Sequence, residues 1–149
     1  MKSLLALDLG THCGYALGGN GRCLAGTWDL SPNRYEGGGM RYVRFRTLLG
    51  KLYEADPFEQ AVYEEVRRHR GTDAAHIYGG LMGTFTAWCE ERNIPYKGIP
   101  VQHIKKYATG RGNADKQSVI AAVRNWGYAP RDDNEADAIA LWHFVWNES

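Results

Sequence analysis

The sequence is poor in the features that mark secreted, membrane and metal–thiolate proteins. Its 149 residues include three cysteines (Cys13, Cys23 and Cys89), an odd number without metal-ligand spacing. No apolar run approaches the roughly 20 residues of a membrane-spanning helix, and no signal-peptide pattern precedes the first apolar segment. We therefore expect reduced thiols, no membrane partner, and a cytoplasmic location in a bacterium or a phage-infected host.

An excess of one charge is also absent. The 18 basic and 17 acidic residues leave a formal net charge of +1, so only local patches could indicate a nucleic-acid partner. Repeats and low-complexity segments are missing as well. The length suits one domain with its own core, and we predict that residues 1–149 form a single domain.

Short apolar segments between glycine turns predict a sheet. The segments "SLLALDL", "GYALGG" and "CLAGTWDL" predict three consecutive antiparallel strands, and "EQAVYEEV" and "IPYKGIP" predict a fourth and a fifth. The spacing of apolar residues such as Val43 and Leu49 predicts a helix over about 40–53. With helices between and after the later strands, the pattern predicts an α/β fold with a mixed sheet flanked by helices.

A second predicted helix, over 74–93, carries a small residue at every fourth position: Ala75, Gly79, Gly83 and Ala87. Each glycine inside a helix costs about 1 kcal/mol relative to alanine. We therefore expect this small-residue stripe to meet a close neighbour, which is either the sheet or another subunit.

Capping residues predict the helices near the end of the chain. The segment "VQHIKKYATG" predicts a brief helix that ends at Gly110, and Asn113 is predicted to cap a helix through Val123. Asp132, with Glu135 three residues later, resembles a capping box that opens the last helix, "EADAIALWHFVW".

Three carboxylates, Asp8, Glu64 and Asp137, follow apolar runs in three different elements. Each has a structural explanation: an anchor for a glycine turn, a surface residue at a strand end, and a helix-dipole residue. Purely structural roles explain all three carboxylates together less well than they explain each one alone, because a charge in apolar surroundings needs a partner. The first and fourth strands would be neighbours if the second and third formed the far side of the sheet. Oxygen ligands from separate elements are typical of Mg2+ sites for phosphoryl transfer, including two-ion sites.

Two further polar residues lie beside Asp137 on the last helix. Asn134 is three residues before it and Asp133 is four before it, so both share its side of the helix.

Basic residues flank these carboxylates. They follow Glu64 in "RRHR", surround the "TGRGNADK" loop, and recur in the helix over 41–51. An acidic centre inside a basic rim suits a polyanionic substrate that is cut with the help of a metal. The glycine turn before a helix also offers backbone N–H groups to a phosphate, although such turns are common.

Four segments in this order, "LALDLGTHCGYA", "AVYEEV", "IKKYATGRGNADKQSV" and "NEADAIAL", resemble the RuvC family of Holliday-junction resolvases, and its phage-type members in particular. The third and fourth segments are the specific ones, and the similarity runs over nearly the whole chain. The resemblance implies an RNase H-like fold with a central five-stranded mixed sheet. It also implies an endonuclease of DNA recombination and repair that needs Mg2+ or Mn2+, with two ions per site, and that acts as a homodimer making symmetric nicks.

Carried over by position, the resemblance implies catalytic roles for Asp8, Glu64 and Asp137. Asn134 stands where the family usually has Asp or His, so it joins these three as a metal ligand. Lys105 and Lys116 match basic residues of the scissile region, and Lys116 is also a catalytic candidate. The full set of predicted DNA contacts is Arg67, Arg68, Lys105, Lys106, Arg111 and Lys116.

Two departures from the family pattern affect the predicted substrate. The neutral Asn134 would weaken one metal site unless Asp133 compensates. Arg67 stands where bacterial members carry an aromatic residue that stacks at the junction centre. We therefore expect activity on branched DNA in general, which includes four-way junctions, three-way junctions and replication forks.

Three alternatives stay open at this point. An actin-like ATPase would share "DLGT", but it needs two such domains. A YqgF-type RNase H-like nuclease acting on RNA or an RNA–DNA hybrid would share the first segment but not "TGRGNADK". A DNA-binding relative without activity would not need all three carboxylates.

Overall fold

The computed structural model describes residues 2–148 and contains five strands and five helices in that range. In chain order they are β1 (Leu4–Asp8), β2 (His12–Gly19), β3 (Arg22–Asp29), α1 (Met40–Ala55), β4 (Gln60–Glu65), α2 (Thr72–Glu91), β5 (Tyr96–Pro100), α3 (Val101–Thr109), α4 (Lys116–Asn125) and α5 (Asp133–Glu148).

The five strands form one mixed sheet in the order β3-β2-β1-β4-β5. The first three strands are antiparallel, whereas β4 runs parallel to β1 and β5. Because β2 and β3 occupy one side of β1, its other side is free to pair with β4. The predicted mixed sheet and the predicted adjacency of the first and fourth strands are therefore confirmed.

The core lies on both faces of the sheet because side chains alternate along each strand. In β1, Leu5 and Leu7 pack in the cluster that holds the buried side chains of α1 and α2. Leu4 and Ala6 point the other way, into the cluster formed with α3, α4 and α5. Helix α5 is tied to β1 by Trp142, whose Nε1 donates a 2.9 Å hydrogen bond to the carbonyl oxygen of Leu4.

Helix α5 also lies directly on β2, and Gly14 makes this approach possible. A Cβ atom at position 14 would overlap the backbone carbonyl of Asn134 at the start of α5. A glycine within a strand is often a place where another backbone comes close. The packing at Gly14 therefore determines how near the first turn of α5 lies to the sheet.

The capping predictions are confirmed at one helix, wrong at a second and refined at a third. Gly110 ends α3 in the left-handed conformation, with φ of 85°. Asn113 does not cap α4. The N-cap lies two residues later, at Asp115, which accepts a 2.8 Å hydrogen bond from the Ser118 amide, and the helix begins at Lys116. Both residue types are good caps, and the cap is the one in extended backbone next to the first helical residue.

Asp132 opens α5 as predicted, because its Oδ1 accepts a 2.8 Å hydrogen bond from the amide of Glu135. The return contact differs from a standard capping box. Oε2 of Glu135 accepts a 2.7 Å hydrogen bond from the amide of Arg131, one residue before Asp132. Both interactions fix the start of the helix that carries Asp137.

The structure changes two expectations, one about the apolar face of α1 and one about the small-residue stripe of α2. Val43, predicted to belong to the apolar face of α1, is 54% exposed, whereas Leu49 of the same predicted face is buried together with Phe45. On α2, Gly79, Gly83 and Ala87 of the small-residue stripe are exposed. A Cβ atom at either glycine would meet nothing within 4 Å, so the sheet does not cover the stripe.

The cysteines are free and buried, as expected from their number and spacing. Among residues 2–148, no helix is both long and apolar enough to cross a membrane.

We predict that Gly14→Ala destabilises the fold by about 3 kcal/mol or more, because the new methyl group meets backbone that cannot move aside without shifting α5. Chemical denaturation measures this change. Gly50→Ala is the matched control, since a Cβ atom there meets nothing within 4 Å and alanine raises helix propensity. A Gly14→Ala protein as stable as the parent would contradict the close packing of α5 on β2.

Candidate metal centre

Asp8 and Glu64 come together because two parallel strands end at the same edge of the sheet. The register pairs Ala6 with Val62, and Asp8 and Glu64 each lie two residues further along. Side chains two residues apart share a face of a strand. Both carboxylates therefore lie on the face covered by α5.

Asp137 joins them from the first turns of α5. One carboxylate oxygen from each of Asp8, Glu64 and Asp137 lies within 4.8 Å of the others, and all three residues are half-buried. This carboxylate triad therefore unites β1, β4 and α5, as the sequence predicted. Three converging carboxylate oxygens are a suitable ligand set for a hard divalent cation such as Mg2+.

The triad is electrostatically unfavourable without a cation. Burial raises the pKa of Asp8 well above its usual value, and the charges of Glu64 and Asp137 raise it further. Burial also raises the pKa of Glu64, while a hydrogen bond from Asp8 and the charge of Lys105 oppose this rise. For Asp137, burial followed by repulsion from Glu64 raises the pKa to about 7. Each carboxylate therefore holds a proton to a higher pH than an exposed carboxylate would, and a bound cation would favour the charged forms.

Of the two residues considered as a fourth ligand, Asp133 acts on the triad electrostatically. Its charge contributes to the raised pKa values of Asp8 and Asp137. Its Oδ2 lies 3.1 Å from Nζ of Lys116. Asn134 places its backbone carbonyl against Gly14, and a role for its side chain as a metal ligand stays a prediction.

Two of the predicted basic residues lie close enough to affect the triad. Lys105 on α3 and Lys116 at the start of α4 both lower the pKa of Asp137. Lys105 also lowers the pKa of Glu64. Lys105 is half-buried, whereas the side chain of Lys116 is 74% exposed. Two positive charges therefore act on the triad.

The other predicted DNA contacts lie around the triad rather than at it. Arg67 and Arg68 line an open groove of about 750 Å³, whose other lining residues are Glu65, Pro100, Gln102 and His103. Nε of Arg67 is 3.1 Å from the Glu65 carboxylate within this groove. Lys106 and Arg111 are exposed on α3 and on the loop after it.

Helix α1 contributes less free positive charge than its sequence suggests. Arg44 pairs with Glu36 at 2.8 Å, and Arg46 pairs with Glu91 at 2.7 Å. Both arginines are therefore engaged within the fold, and the basic rim is narrower than the count of basic residues indicates.

Tyr78 on α2 supports the end of β4 beside the triad and was not among the predicted site residues. Its hydroxyl donates a 2.7 Å hydrogen bond to the carbonyl of Glu64 and accepts one of 3.1 Å from the amide of Val66. The contact bridges the end of β4 to a helix, so no local sequence pattern could have indicated it.

The backbone that carries this arrangement resembles several solved structures. It is similar to Thermus thermophilus RuvC in complex with a Holliday junction substrate, with a TM-score of 0.81 over 97% of this chain and 92% of that chain. The chain has the RuvC fold. Its sequence is 22% identical to that protein. The predicted RNase H-like fold is therefore confirmed.

Two further RuvC-like structures support the same assignment of the fold. A second Thermus thermophilus RuvC structure has a TM-score of 0.77 and 24% identity, covering 95% of this chain and 92% of that chain. The yeast mitochondrial Holliday junction resolvase has a TM-score of 0.67 and 15% identity, covering 97% of this chain and 78% of that chain. No protein-family model and no curated protein sequence matches the chain.

We predict that Asp8→Asn stabilises the metal-free protein at pH 8. A carboxyl whose pKa is raised by folding makes the folded state take up protons, so stability falls as pH rises from the unfolded-state pKa through the folded-state value. Removing this carboxylate should raise the free energy of unfolding by about 1 kcal/mol or more at pH 8, and the gain should shrink towards pH 4.

Thermal unfolding in a chelator at several pH values measures this effect. Asp56→Asn is the control, because Asp56 is an exposed acid just after α1. Added Mg2+ should then raise the melting temperature of the parent more than that of Asp8→Asn. A variant that is less stable than the parent at pH 8 in the chelator would show that the triad is not under electrostatic strain.

Proposed function

We propose that the chain is a metal-dependent, structure-selective endodeoxyribonuclease of the RuvC family, which cleaves Holliday junctions and other branched DNA. The observation that carries this proposal is the convergence of Asp8, Glu64 and Asp137 within 4.8 Å on a RuvC fold. A similar protein, Thermus thermophilus RuvC, has been solved with a Holliday junction substrate. Residues 1–149 would form its single nuclease domain.

The residues of the triad fit Mg2+ or Mn2+. Both ions favour carboxylate oxygens, and the raised pKa values of these three side chains favour a positive charge among them. Asp8, Glu64 and Asp137 would hold the metal, and Asn134 or Asp133 would complete the ligand set. When bound, two such ions supply an activated water and stabilise the leaving oxygen of a phosphodiester.

Lys105 and Lys116 would hold the scissile phosphate beside the triad. Their charges already act on Asp137, and the exposed side chain of Lys116 can exchange Asp133 for a phosphate oxygen. Arg67 and Arg68 would follow the DNA backbone away from the site along their groove. Lys106 and Arg111 would extend the same contact on the side of α3.

A homodimer would use the exposed small-residue stripe of α2. The sheet leaves Gly79, Gly83 and Ala87 uncovered, and small residues allow two helices to approach closely. Two copies of the site would allow paired nicks across a symmetric junction.

A cleavage assay tests the proposed activity. With Mg2+, the parent should cut four-way junctions and three-way forks but not duplex DNA. Asp8→Asn should reduce cleavage by more than about 100-fold, since even ligand-supporting residues of metal sites contribute about 10- to 100-fold. Binding of the junction, measured in a chelator, should persist, because the substitution removes a negative charge near the phosphate.

Asp56→Asn serves again as the control and should cleave at the parent rate. Equal cleavage by Asp8→Asn and the parent would contradict the site. Cleavage confined to RNA or an RNA–DNA hybrid would contradict the substrate and support the YqgF-type alternative.

Sedimentation velocity tests the homodimer. Gly83→Gln places a long side chain on the stripe while improving helix propensity by up to about 1 kcal/mol, so the protein should stay folded and become monomeric. Gly50→Gln on α1, where a Cβ atom also meets open space, should stay dimeric. A parent protein that is monomeric at tens of micromolar, or a dimeric Gly83→Gln, would rule out this interface.

A further inference from the structure

The loop between β3 and α1 presents an exposed aromatic residue beside an arginine. Tyr35 is 90% exposed, more than the other exposed large apolar residues of the described chain. The guanidinium carbon of Arg34 lies 5.6 Å from the centre of its ring. Apart from this contact, the ring is open to solvent, so it is free to contact a ligand outside the fold.

The turn that carries these two side chains is braced. The amide of Glu36 donates to the carbonyl of Asn33 at 3.1 Å, and the Asn33 side chain accepts from the amide of Tyr35 at 3.3 Å. Glu36 in turn accepts from the Asn33 amide at 2.8 Å and from Arg44 of α1 at 2.9 and 2.8 Å. The Asn33–Glu36 turn is therefore held in place, while the ring at its tip is left exposed.

This turn follows the edge strand β3 and leaves the sheet at the end of the strands where the triad lies. Asp29, the last residue of β3, pairs with His12, and the amide of Leu30 donates a 2.7 Å hydrogen bond to the carbonyl of Thr11. Thr11 lies in the short turn that follows Asp8. The Asn33–Glu36 turn therefore projects from the same end of the sheet as the carboxylates.

We propose that Tyr35 and Arg34 form a branch-reading contact, in which the tyrosine ring stacks on a base unstacked at the branch point and the arginine binds an adjacent phosphate. This inference rests on the proposed function for its substrate class and deepens it. Aromatic rings stack on any base, whereas the bases of an intact duplex are already stacked on one another. The contact thus favours branched over continuous DNA.

Binding in a chelator tests the contact without cleavage. Tyr35→Ala should weaken binding of a four-way junction by about 5- to 100-fold, the range of one base–aromatic stack, and binding of duplex by less than about twofold. Tyr35→Phe should retain junction binding, because the ring remains. Arg34→Ala should reduce the slope of log binding constant against log salt concentration by about 1, the value expected for one lost phosphate contact.

A fluorescent base analogue reports the stacking itself. With 2-aminopurine at the branch point, the parent and Tyr35→Phe should change its fluorescence and Tyr35→Ala should not. Leu24→Ala is the matched control, since Leu24 is 82% exposed near the start of β3, at the opposite end of the sheet. All of these variants should melt at the parent temperature because their side chains are exposed.

The outcomes separate this inference from the proposed function. If the protein cleaves junctions but Tyr35→Ala changes neither binding nor fluorescence, the contact is wrong and the nuclease stands. If cleavage is absent but Tyr35→Ala still loses junction binding and the fluorescence change, the contact stands and the nuclease is wrong. Equal weakening of junction and duplex binding, or a change of oligomeric state, would overturn the contact as a reader of branches.

Discussion

Like charges held close together at one edge of the sheet are the constraint on which the rest of the structure depends. Asp8, Glu64 and Asp137 repel one another and are partly withdrawn from water, so each has a pKa above its usual value. A shift of one pKa unit corresponds to about 1.4 kcal/mol. The fold must therefore supply enough packing elsewhere to keep the three side chains in position.

Helix α5 supplies much of that packing. Its buried side chains fill the cluster on one face of the sheet, and Trp142 fastens it to β1. At its other end, Gly14 lets the helix lie directly on β2, and Asp132 caps its first turn. Asp137 lies on α5 between these two attachments, which hold its side chain close to the other carboxylates. The strain at the site thus comes from an element that is otherwise among the best packed in the molecule.

Most of the fold and the centre of the site could be predicted from sequence, because they follow from local patterns. Alternation along β1 and β4, with glycine turns, determines which face Asp8 and Glu64 share. Contacts between distant segments could not be predicted. No spacing rule links Tyr78 to the carbonyl of Glu64, and the choice between Asn113 and Asp115 as cap depends on backbone conformation. Helical spacing placed Asp133 and Asn134 equally well beside Asp137. Only the structure indicates that the charge of Asp133 raises the pKa values of Asp8 and Asp137.

The internal pairing of Arg44 and Arg46 has a consequence for the proposed action on DNA. The net charge is +1 and these two cations are paired within the fold, so fewer positive charges are free to displace counterions from a duplex than the count of basic residues indicates. Non-specific affinity depends on that displacement. The proposed nuclease would therefore bind continuous DNA less tightly than its basic residues suggest, and the shape of a branch would contribute more to its residence time.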